Sequence, residues 1–289
     1  MRGLVSLDVD ALRSLLNTHV ESRFIGVGDR LVYVPEVPST NTLAMQLAHE
    51  RPEEGLVVLT DTQTAGKGRQ GRRWVDIPGC NVISSTLLQP LFPPHLLVML
   101  ASLAVVEAIA HTCGVQATIK WPNDILIGDH KVCGILIETS HGSNGRLIAV
   151  LGIGINANGY SQGQVERKGV EVDLASIATT LETVCGYPIN REALLAHLLL
   201  TIEKEYLPLQ QEATKPPVAT LTDGPVARLL RERWQAHLST LGRTIQVHQG
   251  DSVVEGVAEA VNTNGELLLR RHSGELVCIT WGVVEHFSG

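Results

Sequence analysis

Two long runs of aliphatic, largely β-branched residues near the middle of the chain constrain its fold most. One run, KVCGILIETS, covers residues 131–140, and the other, RLIAVLGIGINAN, covers residues 146–158. Because β-branched residues are enriched in strands, we predict that the two runs pair as neighbouring central strands of a sheet. Aromatic residues make up only 4% of the 289-residue chain, so aliphatic side chains must fill most of the core.

Helical and strand patterns alternate along the chain up to about residue 240. Apolar residues at helical spacing predict helices at Asp8–Asn17, Thr42–His49, Pro93–Thr112, Asn190–Tyr206 and Pro225–Leu238. Strand patterns cover Leu31–Val34, Leu56–Asp61, a run that begins at Asn81, and the two sides of Pro122 within Gln116–Ile127. The STN triplet at 39–41 precedes a helix, where side-chain oxygens commonly form a cap. The polar, proline-rich segment at 210–225 is predicted to be a loop.

The pattern changes after Gly242. From there the chain has short alternating runs separated by Gly, Asn-Gly and Ser-Gly, which is typical of a small antiparallel barrel. We therefore predict a domain boundary near residue 240, with a larger domain at 1–240 and a small barrel at 241–289. The expected fold class is α+β.

Composition argues against several classes of function. Hydrophobic residues make up 44% of the chain and charged residues 18%, which indicates a globular protein. The formal net charge of −7 argues against general binding of nucleic acid. A structural zinc site or a zinc-hydrolase site is not expected, because the histidines form no i, i+4 pair and no CxxC spacing joins the five cysteines: Cys80, Cys113, Cys133, Cys185 and Cys278.

The same features predict a cytoplasmic protein that is not embedded in a membrane. An odd number of scattered cysteines fits a reducing compartment. The N-terminal stretch MRGLVSLDVD places acidic residues where a signal peptide would place its apolar run. The longest apolar segment, Leu96–Val106, contains Ser102 and is too short to span a bilayer.

The stretch QTAGKGRQGRRW, residues 63–74, follows a predicted strand and concentrates positive charge in an acidic chain. Its three glycines and four cations are Gly66, Gly68, Gly71, Lys67, Arg69, Arg72 and Arg73. Glycines let the backbone approach a ligand closely, and cations beside exposed N–H groups bind phosphate or carboxylate. The loop is therefore either an anion-binding site or a solvated basic turn.

Two common nucleotide motifs do not fit this loop. A P-loop requires Ser or Thr after Gly-Lys, but Gly68 follows Gly66-Lys67. The letters also match G-x-G-x-x-G, but the residues after Gly71 do not open a helix, as a dinucleotide-binding fold requires.

Lys120, Asn123, Asp124 and Lys131 form a second polar cluster in KWPNDILIGDHKVCG. The Asn-Asp pair at a strand end suits either a polar ligand or a metal ion. On spacing alone, Lys131 is either a functional cation or a hairpin-edge lysine. Glycines 152 and 154 in GIGIN, residues 152–156, either allow close packing or let a ligand lie against the strand.

Together these segments resemble the biotin–protein ligase family in order and spacing. The matching pieces are STN at 39–41, QTAGKGRQGRRW at 63–74, KWPNDILIGDHKVCGILIE at 120–138, GIGIN at 152–156, and GVAEAVNTNGELLL and ITWGVVE near the C-terminus. The resemblance covers roughly residue 35 to the end. It implies a mixed-sheet catalytic domain of the class II aminoacyl-tRNA synthetase/biotin ligase type, followed by an SH3-like β-barrel.

The resemblance also implies a two-step reaction. Biotin and ATP give biotinyl-5′-AMP and pyrophosphate with Mg²⁺, and a lysine of a biotin carboxyl carrier protein then takes the biotin. Lys131, Arg69 and Asp124 are the expected catalytic residues, with Asp124 either near magnesium or near the carrier lysine. The expected biotin-binding residues are Ser39, Thr40, Asn41, Gln63, Lys67, Gly68, Arg69, Lys131, Gly134, Gly152 and Gly154. Those for ATP are Arg69, Arg72, Trp74, Lys120, Asn123, Lys131 and Asn156.

Three departures from the family pattern stand out. Lys67 and Gln70 replace arginines, and lysine lacks the bidentate fork, so we expect weaker retention of the adenylate. Pro78 stands one place later than in many members, so the loop exit is expected to bend differently. Asn262 stands where the family often has Asp, which puts a polar role there in doubt.

The resemblance also shapes the expected partners. Only 38 residues precede Ser39, whereas family members that repress transcription carry a longer N-terminal winged helix, so we expect a ligase without repressor function and without a nucleic-acid partner. The family often dimerises through its sheets, which makes a weak homodimer a hypothesis. The alternatives are a lipoate–protein ligase, whose Arg-Arg-x-x-Gly-Gly-Gly motif is missing from this chain, and a non-catalytic nucleic-acid-binding module.

Overall fold

The computed structural model describes residues 6–17, 24–142, 145–159, 164–167, 170–215 and 224–286. The α-helices in these ranges are α1 Val9–Asn17, α2 Thr40–Glu50, α3 His95–Cys113, α4 Leu181–Cys185, α5 Arg191–Ala213 and α6 Pro225–Ala236. The first strands are β1 Leu31–Tyr33, β2 Glu36–Val37, β3 Val57–Thr60, β4 Thr62–Gln63, β5 Val82–Leu88, β6 Thr118–Lys120, β7 Asp124–Ile127, β8 His130–His141 and β9 Leu147–Ile155. The later strands are β10 Gln164–Arg167, β11 Val170–Asp173, β12 Thr244–Gln249, β13 Ser252–Val261, β14 Leu267–Arg270, β15 Leu276–Ile279 and β16 Val283–His286.

The largest sheet in the described residues has seven strands in the order β1-β3-β5-β9-β8-β7-β6. Strands β1 and β3 pair in parallel, and the other neighbours pair antiparallel, so the sheet is mixed. The two β-branched runs become β8 and β9, which are neighbours and place Gly134 opposite Gly154. Their predicted pairing near the centre of the sheet is therefore confirmed, and the α+β class is confirmed with it.

The two faces of this sheet are covered differently. One face packs against helices α1, α3, α5 and α6 and forms the main apolar core, to which β9 contributes Ala149, Leu151, Ile153 and Ile155. The opposite face packs against α2 in a smaller cluster that includes Ala44, Val58, Leu87 and Val150. Because strand side chains alternate between faces, the next inward positions of β9 on the α2 side are Gly152 and Gly154.

The long helices begin and end where the sequence predicts boundaries, with one exception. Helix α3 follows Pro94 and ends at Cys113, and the C-cap residue Gly114 takes a left-handed φ of 66°. The helix is both long and apolar enough to span a membrane, so the prediction that this segment is too short was wrong, but 67% of its most apolar window is buried inside the protein. It is therefore a core helix. Asn190 caps α5 by accepting a hydrogen bond from the Ala193 N–H, as predicted.

The predicted loop at 210–225 is partly wrong, because α5 continues through Pro208 to Ala213. Burial of Tyr206 and Leu209 in the core holds this last part of the helix. Its polar residues also find partners, since Gln210 binds the backbone of Gln89 and Leu91, and Glu212 accepts the Val226 and Ala227 N–H groups at the start of α6. Residues 216–223 of the predicted loop lie outside the described residues.

The C-terminal region forms a separate antiparallel sheet in the order β15-β14-β13-β12-β16. This sheet agrees with the predicted SH3-like barrel. It contacts the rest of the chain through Trp121, whose indole N–H donates to the Gly265 carbonyl oxygen at 2.9 Å. Asn262 keeps a polar role in this sheet, because its Oδ1 accepts the N–H groups of Asn264 and Glu266. The boundary near residue 240 stays a prediction.

Candidate active site

The loop at residues 63–74, named here the glycine–arginine loop, folds back on itself beside the α2 face of the large sheet. The Gly68 N–H donates to the Arg72 carbonyl at 2.7 Å, and the Trp74 N–H donates to the Gly66 carbonyl at 3.0 Å. The tip needs left-handed backbone, with φ of 56° at Gln70 and 72° at Gly71. A Cβ at Gly66 would lie 2.7 Å from the Trp74 carbonyl oxygen, so glycine permits this closure.

A cavity of about 690 Å³ opens along the inner side of the glycine–arginine loop. Its lining combines loop residues 64–73 with Leu136 and Glu138 of β8. A volume of this size falls in the range of ordinary small-molecule sites. The cavity therefore lies between the predicted anion-binding loop and the strand that carries Lys131.

Two cations predicted from sequence meet the Asn-Asp pair at one end of the site. Lys131 Nζ lies 2.6 Å from Asp124 Oδ1, across the β7–β8 hairpin. Arg69 donates to Asn123 Oδ1 at 2.8 Å, so the loop is attached to the same hairpin. Asn123 is itself fixed, because its amide donates to the Ile135 carbonyl at 2.6 Å.

Arg69 has a shifted pKa, and Lys131 is partly open to solvent. Burial lowers the pKa of the Arg69 guanidinium below its ordinary value, nearby Arg72 lowers it further, and Asp124 opposes both effects. Arginine stays charged at neutral pH despite such a shift. Lys131 keeps about a third of its side chain exposed, so its ammonium group can reach a ligand in the open part of the site.

Trp74 closes the loop by lying over Gly134 of β8 and Gly154 of β9. These paired glycines, with Gly152, form a surface without side chains that is named here the glycine strip. A Cβ at Gly154 would be 2.7 Å from the indole ring, and one at Gly134 would be 3.0 Å from it. Lys131 Nζ lies 5.8 Å from the ring centroid, within reach of a cation–π contact. The indole N–H is buried and has no hydrogen-bond partner among the described residues, so an acceptor brought by a ligand would stabilise it.

The other end of the site is a network of short polar side chains at the start of α2. The Gln63 Oε1 atom accepts from the Thr40 N–H at 2.9 Å and from the Thr40 hydroxyl at 3.2 Å. The Ser85 hydroxyl lies 2.7 Å from Thr40 Oγ1 and 2.6 Å from Asn41 Oδ1. Asn41 also donates from Nδ2 to Glu138 Oε2 at 2.9 Å. The side chains of Thr40, Asn41, Gln63 and Ser85 thus form an uncharged network that the Glu138 carboxylate borders, and binding of a ligand to it stays a prediction.

The STN triplet serves this network more than the helix cap. Ser39 is at the N-cap position of α2, but its side chain makes no capping hydrogen bond. Its carbonyl oxygen accepts from the Leu43 N–H, as in the first turn of a helix. Side-chain capping by the triplet was therefore the wrong prediction. Thr40 and Asn41 are inside the helix and direct their side chains into the site.

The glycines of GIGIN make room for side chains from the opposite layer. A Cβ at Gly152 would overlap Asn41 Oδ1, and a Cβ at Gly154 would overlap the Trp74 ring. Both glycines therefore have a close-approach role, while direct contact with a ligand stays a prediction.

Three residues predicted to contact ATP, Asn156, Lys120 and Arg72, lie outside the ion pair of Lys131 with Asp124 and the hydrogen bond of Arg69 with Asn123. Asn156 donates its amide to the Thr179 carbonyl at 3.1 Å, which ties β9 to the segment before α4. Lys120 stands opposite Asp124 in the β6–β7 pairing, at the edge of the sheet. Arg72 is exposed at the loop surface. Their nucleotide roles stay predictions.

Ser85 and Glu138 belong to the site but were missed by sequence reasoning. Ser85 is on β5, inside a run that reads as an ordinary buried strand. Glu138 is two and four residues beyond Leu136 and Gly134 along β8, so period-2 spacing from the predicted Gly134 would have placed it on the same face.

Known proteins that are similar to this chain identify its family. Residues 33–156 match the Biotin/lipoate A/B protein ligase family. The bifunctional ligase/repressor BirA of Bacillus spizizenii is 32% identical over 252 residues, which cover 86% of this chain and 71% of the relative. The biotin–[acetyl-CoA-carboxylase] ligase of Paracoccus denitrificans is 29% identical, over 83% of this chain and 93% of that protein.

A solved structure agrees at the level of fold. The biotin protein ligase from Aquifex aeolicus in complex with biotin and ATP superposes with a TM-score of 0.70 at 24% identity. The superposition covers 89% of this chain and 99% of that one. Family match, sequence relatives and fold lead to one assignment: the chain belongs to the Biotin/lipoate A/B protein ligase family, and within it to the biotin–protein ligases.

Proposed function

We propose that this protein activates biotin with ATP to biotinyl-5′-AMP and transfers the biotin to a lysine of a biotin carboxyl carrier protein. The observation that carries the proposal is that Trp74 and Lys131 lie against the glycines of β8 and β9, while Arg69 is held on Asn123, the residue before the Lys131 partner Asp124. The relative from Paracoccus denitrificans is a biotin–[acetyl-CoA-carboxylase] ligase, which supports the same carrier class.

The first step joins two anions, and the site has the charges that this step requires. A biotin carboxylate oxygen forms a bond to the α-phosphorus of ATP while the bond to the pyrophosphate oxygen breaks. Lys131 and Arg69 would neutralise the carboxylate and the developing charge on the phosphate, which is the main form of catalysis available for phosphoryl chemistry. Lys67 and Gly68 would line the carboxylate, and Arg72 and Trp74 would contact the nucleotide.

The neutral network of Thr40, Asn41, Gln63 and Ser85 would hold the ureido ring of biotin. A ureido group presents two N–H donors and one carbonyl acceptor, which require fixed partners in a buried site. Thr40 and Asn41 are only 3% and 4% exposed, so their hydrogen-bonding groups are shielded from water. Shielding makes each matched hydrogen bond more selective for the ring.

In the second step the carrier lysine attacks the acyl carbon, an amide bond forms, and AMP leaves with the bonding electron pair. The attacking amine must lose a proton, and Asp124 is the carboxylate nearest to Lys131. We assign Asp124 to hold Lys131 in place and to accept this proton. No covalent enzyme intermediate is required by this sequence of steps.

Magnesium would accompany ATP and not occupy a site built by the protein alone. Among the described residues, no group of three or more His, Cys, Asp and Glu side chains is placed to hold a metal ion. Mg²⁺ usually binds substrate phosphates and water with one or two carboxylates, and Asp124 fits that limited role. When bound, the ion would neutralise phosphate charge.

The setting of the reaction follows from the proposed substrates. We propose a cytoplasmic enzyme whose macromolecular partner is the carrier domain of a biotin-dependent carboxylase, with no membrane or nucleic-acid partner. A weak homodimer linked to the adenylate is part of the proposal, and sedimentation with and without adenylate tests it.

One assay tests the central proposal. Purified protein is mixed with Mg-ATP, labelled biotin and an apo carrier domain, and label on the carrier lysine is measured. We expect transfer that depends on ATP, and no transfer when lipoate replaces biotin. Absence of label on the carrier, in protein that is folded by circular dichroism, would reject the proposal.

A further inference from the structure

Glu138 is a charged side chain at the boundary between the two halves of the site. It lies on β8, on the same face as Gly134 and Leu136. Together with Leu136, it completes the lining of the cavity that the glycine–arginine loop otherwise forms. A carboxylate is unexpected there, because the proposed substrates, biotin and ATP, both carry negative charge. Its contacts explain its presence.

The two oxygens of Glu138 bind two different parts of the site. Oε2 accepts from Asn41 Nδ2 at 2.9 Å, and Oε1 lies 3.2 Å from Lys67 Nζ. Asn41 belongs to the ring-binding network on α2, whereas Lys67 belongs to the glycine–arginine loop. The Glu138 carboxylate thus connects helix α2, which would recognise the ureido ring of biotin, with the glycine–arginine loop, which would cover the carboxylate of biotin.

Glu138 and the Leu136 carbonyl oxygen, which accepts from the same Asn41 Nδ2 at 3.4 Å, together fix which way the Asn41 amide points. An ionised carboxylate can only accept hydrogen bonds, so the NH₂ group of Asn41 must face it. The Asn41 carbonyl oxygen then faces Ser85, which must donate to it across 2.6 Å. The Ser85 proton is thereby committed, so the Thr40 hydroxyl is left to donate to Ser85 or to Gln63. The direction of the hydrogen bonds in the network is therefore set from the β8 side, where Glu138 provides the closer of the two acceptors for Asn41.

We infer that Glu138 is a positioning residue that links recognition of the biotin ureido ring to closure of the glycine–arginine loop. The inference rests on the proposed function for its ring-binding half. Its loop-holding half depends only on the Lys67 contact. When substrate brings a carboxylate toward Lys67, Glu138 and the substrate compete for the same ammonium group, so the loop can exchange one anionic partner for another.

The decisive variant is Glu138→Gln, which keeps the shape and removes the charge. A glutamine amide has one acceptor oxygen and one NH₂ group, so it cannot accept from Asn41 and Lys67 through two different oxygens. We expect the KM for biotin in biotin-dependent ATP–pyrophosphate exchange to rise about tenfold while kcat changes less than about threefold. Without substrates, hydrogen exchange of the loop amides at 66–73 should become faster.

Two further variants separate a positioning role from a general structural one. Glu138→Asp keeps the charge and should restore the loop protection and part of the KM. Lys67→Met should speed loop exchange as Glu138→Gln does, and the double variant should add little, because both remove the same contact. Glu107→Gln is the matched control, since Glu107 pairs with Lys204 at the same 3.2 Å on the helical side and should alter neither measurement.

The outcomes are distinguishable. An unchanged KM and unchanged loop exchange in Glu138→Gln, or additive effects in the double variant, would overturn the inference. Equal falls in kcat and kcat/KM with no effect on the loop would also overturn it. If wild-type protein shows no biotin-dependent exchange, the proposed function and the ring-binding half fail together. Faster loop exchange in Glu138→Gln would then support the loop-holding half on its own.

Discussion

The two faces of the seven-stranded sheet are built from the same strands by opposite means. On the helical face, β9 presents Leu151 and Ile153, which are almost completely buried in the main core. On the other face, the same strand presents Gly152 and Gly154, and their missing side chains make room for Asn41 and Trp74. One residue along the strand thus separates a position that stabilises the fold from one that shapes the site.

The difference shows how a stable sheet accommodates a polar site. The helical face buries large apolar side chains, which is the main source of folding free energy. The site face gives up that burial over the glycine strip and holds a hydrogen-bonded network in its place. Substitutions on the two faces should therefore separate stability from activity, and each prediction below tests that separation.

Lys131→Ala should have the largest effect on activity. Lys131 is half-buried on the site face and pairs with Asp124, so it contributes charge to the proposed transition state more than it stabilises the fold. We expect adenylate formation to fall about 10²–10³-fold. The free energy of unfolding should change by less than about 1 kcal/mol, because the ion pair is partly exposed. Pyrophosphate exchange and urea unfolding measure the two quantities.

Lys204→Ala is the control for this variant. Lys204 pairs with Glu107 on the helical side, with 67% of its side chain exposed. It should leave both rate and stability close to wild type. Wild-type adenylation by Lys131→Ala would mean that the cation is only a hairpin-edge residue.

Leu151→Ala and Gly152→Ala compare the two faces at adjacent residues. Leu151 is fully buried in the main core, so its truncation should cost about 2.7–5 kcal/mol of unfolding free energy. The Leu151→Ala variant should keep a KM for biotin near that of wild type at temperatures where the protein is folded. Gly152→Ala places a methyl group against Asn41, which Ser85 and Glu138 hold in place, so the KM should rise about tenfold or more.

The stability loss from Gly152→Ala should be smaller than that from Leu151→Ala, since no core volume is removed. Denaturant unfolding and biotin-dependent exchange on the same samples measure both effects. Equal stability losses in the two variants, or a raised KM in Leu151→Ala alone, would show that the faces are not independent.

Local patterns were sufficient to predict much of this arrangement. β-Branched content identified β8 and β9, glycine and arginine spacing identified the loop, and the KWPND segment placed Asn123 and Asp124 next to Lys131. These features are encoded within short stretches, where residue type and spacing determine the outcome. Arg69 and Asn123 are 54 residues apart, and only the family resemblance assigned them to one site; their hydrogen bond was not predicted.

The missed features depend on long-range packing. Ser85 and Glu138 become site residues only because α2 places Asn41 between them, and no local pattern encodes that contact. Helix α5 continues past Pro208 because distant residues such as Leu91 accommodate Gln210. In α5, tertiary contacts override the local helix propensity. At Ser85 and Glu138, tertiary contacts bring together residues that are distant in the sequence.

Lys67→Arg tests a smaller effect at the rim of the site face. Arginine would present a planar fork to Glu138 and to the adenylate phosphate, whereas lysine offers a single ammonium group. We expect dissociation of biotinyl-5′-AMP to slow by roughly threefold. Lys67→Met is the opposing variant and should speed release. Identical release rates in all three proteins, followed by stopped-flow fluorescence, would show that position 67 does not retain the intermediate.

Asp76→Asn should have the smallest effect, because it alters only how stability depends on pH at the loop exit. Asp76 accepts the Gln63 N–H at 3.2 Å, so it joins the two ends of the glycine–arginine loop. Burial raises the pKa of this carboxyl above its ordinary 3.8, although the Gln63 hydrogen bond and Arg73 oppose the shift.

A raised pKa means that the folded state binds the Asp76 proton more tightly than the unfolded state does. Stability should therefore fall as pH rises from the ordinary value through the raised one, and an asparagine, which still accepts from Gln63, should lack this fall. Urea unfolding across that pH range should show the variant gaining on wild type, while exposed Asp251→Asn serves as the control for the lost charge. Parallel pH profiles for wild type and Asp76→Asn would mean that the loop exit, like the helical face, is held by packing without an electrostatic cost.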